Sequence, residues 1–435
     1  MDATQLYSLY LQAGMQATTD SRDCPAGSVF FALKGESFDG NRFAKAALDK
    51  GCAYAVVDEA EYAREGDPRF IVVDDVLTSF KEMAREHRRR FNIPVIGITG
   101  TNGKTTTKEL IAAVLSKKYN VMYTQGNFNN DVGVPKTLLT LNDKHDIAVV
   151  EMGASHPGDI EKLVCYAEPT CGMITNVGRA HLQGFGSFEG VMKTKGELYD
   201  FLKEHEGKVF LNADNEHLCR MVEERGIGNI TTYGQQSKDV AVKGKVVECA
   251  PFLTFSFQTT EGEVHTVASH LIGAYNIDNM LAAITIGLEF GVDISDICDA
   301  LENYIPSNNR SQFEQTRHNR LVVDAYNANP SSMMAALQNF SIMKADNKMA
   351  ILGDMRELGD ASDEEHQKIT DYLSGSDIKK VWLVGSEFMK TKCSYRKFCD
   401  IEQVKKAISE DMPVGCTILI KGSNGIRLFM LPELL

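Results

Sequence analysis

The sequence predicts an α/β protein of three domains. A central doubly wound, mostly parallel sheet carries a phosphate-binding loop (P-loop). A small N-terminal α/β domain precedes it and a Rossmann-like C-terminal α/β domain follows. Three observations carry this expectation. The chain has 435 residues, too many for one compact core. Near-continuous apolar strands alternate with helical stretches, the pattern of a sheet covered on both faces. One of these strands, Val95-Ile96-Gly97-Ile98-Thr99, runs into Gly100-Thr101-Asn102-Gly103-Lys104-Thr105-Thr106-Thr107, a glycine-rich turn at the mouth of a helix.

The first block, residues 1–92, alternates short strands at 28–33 and 54–57 with a helix near 41–50. A helical segment at 77–90 ends in Arg88-Arg89-Arg90, where arginines suit the helix dipole. Ile93-Pro94 then reads as a linker. The second block, 93–305, places a helix at 108–118 after the loop and apolar strands at 145–151, 171–177 and 208–212. The alternating stretch 240–267 predicts antiparallel strands at the sheet's edge, and a helix at 276–290 packs through Ile277, Met280, Leu281 and Ile284. The third block, 306–435, repeats the rhythm with strands at 320–324, 348–352, 380–384 and 416–421.

Composition excludes several classes. Apolar residues make up 43% and charged residues 24%, ordinary for a globular protein. A net charge of −13 argues against nucleic acid as a partner, which needs a basic surface. No apolar run approaches the roughly 18 residues of a membrane span, so no membrane insertion is expected. The N-terminus shows no basic region followed by an apolar one, so no signal peptide is expected. The ten cysteines are scattered without a C-x-x-C pair or a cysteine–histidine cluster, which predicts neither disulfides nor structural zinc. A cytoplasmic monomer is the expectation.

The loop itself has phosphate chemistry. Gly100 and Gly103 let backbone N–H groups approach an anion closely, and the following helix adds its dipole. Lys104 reaches outer phosphates, and Thr105 is placed for Mg²⁺. The loop departs from the strict P-loop pattern, because Ile98 stands where the first glycine belongs. Glu151 ends the strand at 145–151, where doubly wound sheets bind ligands, and suits a hard cation. His181 follows the next strand in a polar loop. Lys193 and Lys195, read alone, are solvated surface lysines. Three polar loops, at 324–330, 353–359 (with His366 after it) and 421–425, end strands of the third block and predict a domain that lids or feeds the site.

These pieces, in this order, resemble the Mur ligases, ATP-dependent amide-forming enzymes of peptidoglycan precursor synthesis. Thr99-Gly100-Thr101-Asn102-Gly103-Lys104-Thr105-Thr106 looks like that family's own phosphate loop, including its missing first glycine. Asp324-Ala325-Tyr326-Asn327-Ala328-Asn329-Pro330, Gly353-Asp354-Met355-Arg356-Glu357-Leu358-Gly359, Asn127-Phe128-Asn129-Asn130 and Asp20-Ser21-Arg22 with Val29–Gly35 resemble its MurF type. The resemblance implies ATP, Mg²⁺ (two ions) and a CO₂-derived carbamate on Lys195 as cofactors, with UDP-N-acetylmuramoyl-tripeptide and D-alanyl-D-alanine as substrates joined through an acyl phosphate. It implies that Gly100, Thr101, Asn102, Gly103, Lys104, Thr105 and Thr106 hold the phosphates. Thr105, Glu151, His181 and carbamylated Lys195 would be metal ligands. Asn276, Asn279, Arg310, Asp324 and Tyr326 would contact the nucleotide, and Lys104, Lys195, His181 and Arg310 would carry the chemistry. Ser21, Arg22, Lys34, Gly35, Asn129 and Asn130 would bind the UDP-substrate. Tyr275, Asn41, Ala325, Val323 and Asn424 depart from the residues common in the family. A related Mur or folylpolyglutamate-type ligase with another amine substrate is the alternative.

Overall fold

Continuous apolar runs form the strands, and their burial decides which residues they include. The computed structural model describes residues 1–35, 37–249, 251–307, 310–345 and 347–435. The chain forms two compact units. One holds Met1–Gly97, Asn120–Met152 and Glu161–Thr170, the other Ile98–Tyr119, Gly153–Ile160 and Cys171–Leu435.

In the first unit, Ala17–Thr18, Val29–Phe31, Tyr54–Val57 and Phe70–Val72 form a parallel sheet in that order. Helices Ala3–Gln12 and Val76–Arg88 cover one face with a shared core that includes Leu6, Tyr10, Phe31, Phe80 and Met83. Asp75 caps the second helix, its carboxylate accepting the Thr78 N–H. The expected helix at 41–50 is a 3₁₀ turn, Gly40–Phe43, leading into a helix at Ala44–Asp49. Val121–Tyr123 pairs parallel with Ile147–Glu151.

The expected linker at Ile93-Pro94 is tied down. The Pro94 carbonyl accepts the Ala148 N–H at 3.0 Å. Arg88 is buried, and its guanidinium donates to the carbonyls of Ala167 (3.1 Å), Phe91 (2.8 Å) and Glu168 (3.2 Å). The arginine run therefore closes loops instead of facing solvent at every position.

In the second unit, Cys171–Ile174, Lys208–Asn212, Ile230–Gly234 and Val242–Cys249 run parallel in that order. Phe252–Thr259 and Val264–Ile272 add antiparallel strands at the edge, as the alternating stretch predicts. Helix Ile277–Glu289 buries Ile277, Met280, Leu281 and Ile284. The C-terminal sheet has the order Gln312–Gln315, Arg320–Asp324, Thr417–Lys421, Lys348–Gly353, Lys380–Val384, Arg396–Phe398, parallel except for the first strand. Two apolar clusters cover its faces. Asp324 lies beside Lys421 and Lys421 beside Leu352, so the three polar loops leave neighbouring strands at one end.

Among the described residues no helix is long and apolar enough to cross a membrane, and all ten cysteines are free thiols.

One buried histidine gives the first unit a pH-dependent stability. His87 accepts the Tyr7 hydroxyl at Nδ1 (3.1 Å) and donates from Nε2 to the Leu141 carbonyl (2.9 Å). Burial pushes its pKa below the ordinary 6.5. The neutral form's contribution is complete above pH 6.5 and is lost as pH falls through the folded-state value, because the unfolded chain takes the proton first. The urea midpoint of the wild-type protein is expected to fall below pH 6.5. His87→Gln should flatten that decline, and an unchanged decline would contradict the assignment.

Candidate active site

The phosphate loop is built by a buried strand, two glycines and a clamp. The strand Val95–Thr99 is buried throughout. Gly100 has φ +144° and Gly103 +80°, conformations that side chains rarely adopt. A Cβ on Gly100 would lie 2.0 Å from Thr175 Oγ1, and one on Gly103 2.7 Å from Asn279 Oδ1. The segment after the next strand grips the loop. Thr101 N–H donates to the Asn176 carbonyl (3.0 Å) and Asn102 N–H to Asn176 Oδ1 (3.0 Å). Thr175 Oγ1 (2.6 Å) and Asn176 Nδ2 (3.0 Å) donate to the Asn102 carbonyl, and Gly178 N–H donates to Thr101 Oγ1 (3.0 Å). The expected strand at 171–177 stops at Ile174 because Thr175 and Asn176 turn their groups to the loop. The following helix starts at Lys104, four residues before the apolar periodicity begins.

Lys104 Nζ donates to the carbonyls of Gly100 (2.7 Å) and Thr101 (3.1 Å), so its ammonium lies across the loop. Behind it, Thr107 Oγ1 donates to Asn279 Oδ1 (3.0 Å), Asn279 Nδ2 to Asn276 Oδ1 (2.9 Å), and Asn276 Nδ2 to the Ile272 carbonyl (2.8 Å). Asn276 and Asn279 thus form a buried polar chain that braces the loop. Thr105 and Thr106 are buried in the helix's first turn.

Lys195 overturns the surface reading that its immediate neighbours suggest. It lies on helix Phe188–Glu204 and is 2% exposed, whereas Lys193 is exposed. Burial pushes its amine well below the ordinary lysine value, the positive charge of Lys104 pushes the same way, and Asp159 and Glu197 oppose. Those carboxylates are fixed by backbone: Asp159 accepts the N–H groups of Ser155 (2.9 Å) and His156 (2.8 Å), and Glu197 that of Gly158 (2.9 Å). The Phe185 ring lies 5.5 Å from Lys195 Nζ.

His181 begins the turn Leu182–Phe185 with φ +51°, and its Nδ1 faces the Glu357 carboxylate. That pairing holds the Glu357 carboxyl below its ordinary range. Glu357 itself has φ +67° and belongs to a pinned loop. Met355 N–H donates to His366 Nε2 (3.0 Å), His366 Nδ1 donates to the Ser362 carbonyl (2.7 Å), and Arg356 N–H donates to Ser423 Oγ (3.0 Å). In the neighbouring loop, Lys421 Nζ pairs with Asp324 (2.6 Å), and the Arg310 guanidinium stacks 3.9 Å from the Tyr326 ring centre.

The second unit thus gathers Gly100 to Thr106, Asn276, Asn279, Lys195, His181, Arg310, Asp324 and Tyr326. The remaining expected residues belong to the first unit. Glu151 is 1% exposed, and Asn129 Nδ2 donates to its Oε1 (2.7 Å), so Asn129 orients a carboxylate. Asn130 Oδ1 caps the next turn by accepting Gly133 N–H (2.9 Å). Arg22 pairs with Asp20 (2.7 Å), the Ser21 carbonyl accepts Lys50 Nζ (2.6 Å), and Lys34 pairs with Asp58 and Glu59, both at 2.8 Å. Gly35 packs under the Phe38 ring, where a Cβ would lie 2.4 Å from it. Sequence reasoning gave no role to Thr175, Asn176, Asp159, Glu197, Asn329 or Glu357. A polar pair directly after a buried strand was the available signal for the first two.

The residues fit the groups they are expected to hold. The glycines leave space where a Cβ would collide, and the helix start supplies N–H groups for an anion. Among the described residues no three of His, Cys, Asp or Glu gather as a metal cage. Magnesium in phosphate-transfer sites uses one or two carboxylates, with water and phosphate oxygens filling the rest; the Thr105 hydroxyl is a hard oxygen donor of the kind such a site uses. Gly100→Ala is expected to reduce nucleotide affinity about tenfold or more, because the collision with Thr175 must move the loop. Isothermal calorimetry with ADP checks it, and wild-type affinity would contradict the clamp.

Three domain families match the chain: the Mur ligase family catalytic domain at residues 16–98, the Mur ligase middle domain at 98–287 and the Mur ligase glutamate ligase domain at 309–424. The chain is 33% identical over 427 residues to a UDP-N-acetylmuramoyl-tripeptide–D-alanyl-D-alanine ligase of Bacillus subtilis, covering 94% of this chain and 90% of that one. Its fold superposes on MurF from Acinetobacter baumannii with a TM-score of 0.87 at 29% identity, covering 96% and 92% of the two chains. MurF ligase from Thermotoga maritima, solved in complex with ADP, gives a TM-score of 0.85 at 28% identity and covers 96% of both. A P-loop braced on both sides, a buried lysine beside it and likeness along nearly the whole length agree: the chain belongs to the Mur ligase family, and within it to the MurF type.

Proposed function

We propose that this protein joins D-alanyl-D-alanine to UDP-N-acetylmuramoyl-tripeptide at the expense of ATP, forming a peptide bond and releasing ADP and phosphate. The observation that carries the reading is the clamped loop with Lys104 beside the buried Lys195, in a chain matching MurF ligases over nearly its full length. Residues 1–92 hold the UDP-substrate, 93–305 the ATP, and 306–435 form the lid and receive the dipeptide. The protein acts as a cytoplasmic monomer in peptidoglycan precursor synthesis.

The chemistry follows from what each end of the reaction lacks. A carboxylate is a poor electrophile until one oxygen becomes a good leaving group. An oxygen of the tripeptide's terminal carboxylate attacks the γ-phosphorus of ATP, the bond to the β–γ bridging oxygen breaks, and ADP leaves. The dipeptide's amine nitrogen attacks the resulting acyl phosphate at its carbonyl carbon. The tetrahedral intermediate then expels phosphate, and the amine proton passes to solvent. Two anions must meet in the first step, so Lys104 and Arg310 offset their repulsion. Thr175 and Asn176 fix the loop's crown, so the helix start that follows it is positioned for the phosphates at no further cost in ordering. Water must be kept from the acyl phosphate, a role suited to the polar loops of the C-terminal block. Magnesium, two ions when bound, would be held in the second unit by Thr105, His181 and the carbamate of Lys195, and would supply charge neutralisation at the transferring phosphoryl group.

Lys195 has the properties a carbamate requires. Only a neutral amine bonds to the carbon of CO₂, and burial beside Lys104 favours that form. Once the nitrogen has lost its proton, the carbamate is an anion, and repulsion from Lys104 becomes attraction. Lys195→Ala is expected to turn over slowly and to be partly rescued by short carboxylic acids, read as phosphate release; no rescue by any acid tried would count against the carbamate. Lys104→Ala should abolish turnover with an unchanged circular dichroism spectrum, and residual turnover above about one per cent of wild type would contradict its placement on the transferring phosphate.

A further inference from the structure

We propose that Asn329 is a positioning residue for the phosphate loop, holding the loop's crown through Asn102 with the same side chain that caps its own helix. The proposal rests on the nucleotide reading of that loop and deepens it.

The Asn329 side chain is 7% exposed and both of its polar ends are engaged. Its Oδ1 accepts the Ser332 N–H (2.9 Å), capping helix Pro330–Ile342, while Ser332 Oγ accepts the Asn329 N–H (3.1 Å) in return. This fixes which end of the amide is which. Nδ2 must then point away from the helix, and it donates to Asn102 Oδ1 at 2.7 Å. The backbone of Asn102 is held from the other side by Thr175 and Asn176. The crown of the loop is therefore gripped between two elements far apart in sequence. Alongside, a Cβ on Gly178 would lie 3.3 Å from Ser331 Oγ, so the segments also meet closely beyond the amide pair.

The residue type matters. Serine, aspartate and asparagine all cap helices well, but only the amide carries its acceptor and its donor on separate atoms, so that Oδ1 serves the helix while Nδ2 reaches outward. A loop held in this way keeps the helix start that follows it already arranged for phosphate. By linkage, whatever orders the loop also strengthens the seat of the Pro330–Ile342 helix. Nucleotide binding and docking of the C-terminal block thus share one hydrogen bond.

The test separates cap from clasp. Asn329→Ser keeps a capping oxygen but is too short to reach Asn102; Asn329→Ala loses both. Asn102→Ala removes the clasp from the other side. With ADP and magnesium as the calorimetric probe, Asn329→Ser and Asn102→Ala should each weaken binding about threefold to tenfold, the worth of one hydrogen bond. The double variant should be no weaker than the weaker single. Asn329→Ser should keep the wild-type melting temperature, which Asn329→Ala lowers. Wild-type affinity in Asn329→Ser, or losses that multiply in the double variant, would overturn the clasp while leaving the nucleotide reading intact. Failure of the wild-type protein to bind ADP would overturn both.

Discussion

Everything in the candidate site depends on holding a short glycine-bearing loop open against collapse. A backbone that must present N–H groups to an anion cannot satisfy them internally, so its carbonyls and neighbours have to be anchored elsewhere. Here Thr175 and Asn176 take the Asn102 carbonyl, and Asn176 takes the N–H groups of Thr101 and Asn102. Asn279 and Thr107 fill the space behind Gly103. The sheet matters to function because it sets the end of Cys171–Ile174 beside the loop, where the side chains of Thr175 and Asn176 reach the Asn102 backbone.

The second constraint is charge. Lys104 and Lys195 are both cationic at neutral pH in water, yet Lys104 lies close enough to disfavour the proton of Lys195. Burial breaks the tie, because Lys195 is nearly inaccessible while Lys104 lies across the loop on two carbonyls. The two lysines thereby sit in different surroundings, one spanning two loop carbonyls and the other buried on its helix. Asp159 and Glu197, themselves tethered to backbone N–H groups, limit how far the shift goes. The same economy of positioning recurs at His181, whose Nδ1 is held by Glu357 on a loop that His366 pins.

Strands made of continuous apolar residues were legible in the sequence, and Tyr54–Val57, Lys208–Asn212, Arg320–Asp324 and Lys380–Val384 have the expected limits. Periodicity failed where polar groups are satisfied by tertiary partners. The helix after the loop begins at Lys104 because Thr107 finds Asn279, a partner 172 residues away. Lys195 looks like a surface lysine because its neighbours in sequence are polar, and its burial, with the Phe185 ring 5.5 Å from Nζ, is a tertiary feature. Of the site, the loop and its lysine could be read from spacing, whereas Lys195 and His181 acquired roles only through family resemblance. The pairs Asn102–Asn329 and His181–Glu357 join segments whose separation no local pattern reports. Asn276 and Asn279, expected at the nucleotide, brace the loop through each other and Thr107.

The most direct test of the account is phosphate release by the purified protein with ATP, Mg²⁺, UDP-N-acetylmuramoyl-tripeptide and D-alanyl-D-alanine, each omitted in turn, with the product weighed by mass spectrometry. Release is expected only when all are present, with a mass gain of one dipeptide on the UDP-substrate. Release that ignores the dipeptide, or no release with tripeptides ending in either lysine or diaminopimelate, would contradict it and favour a related ligase with another amine substrate.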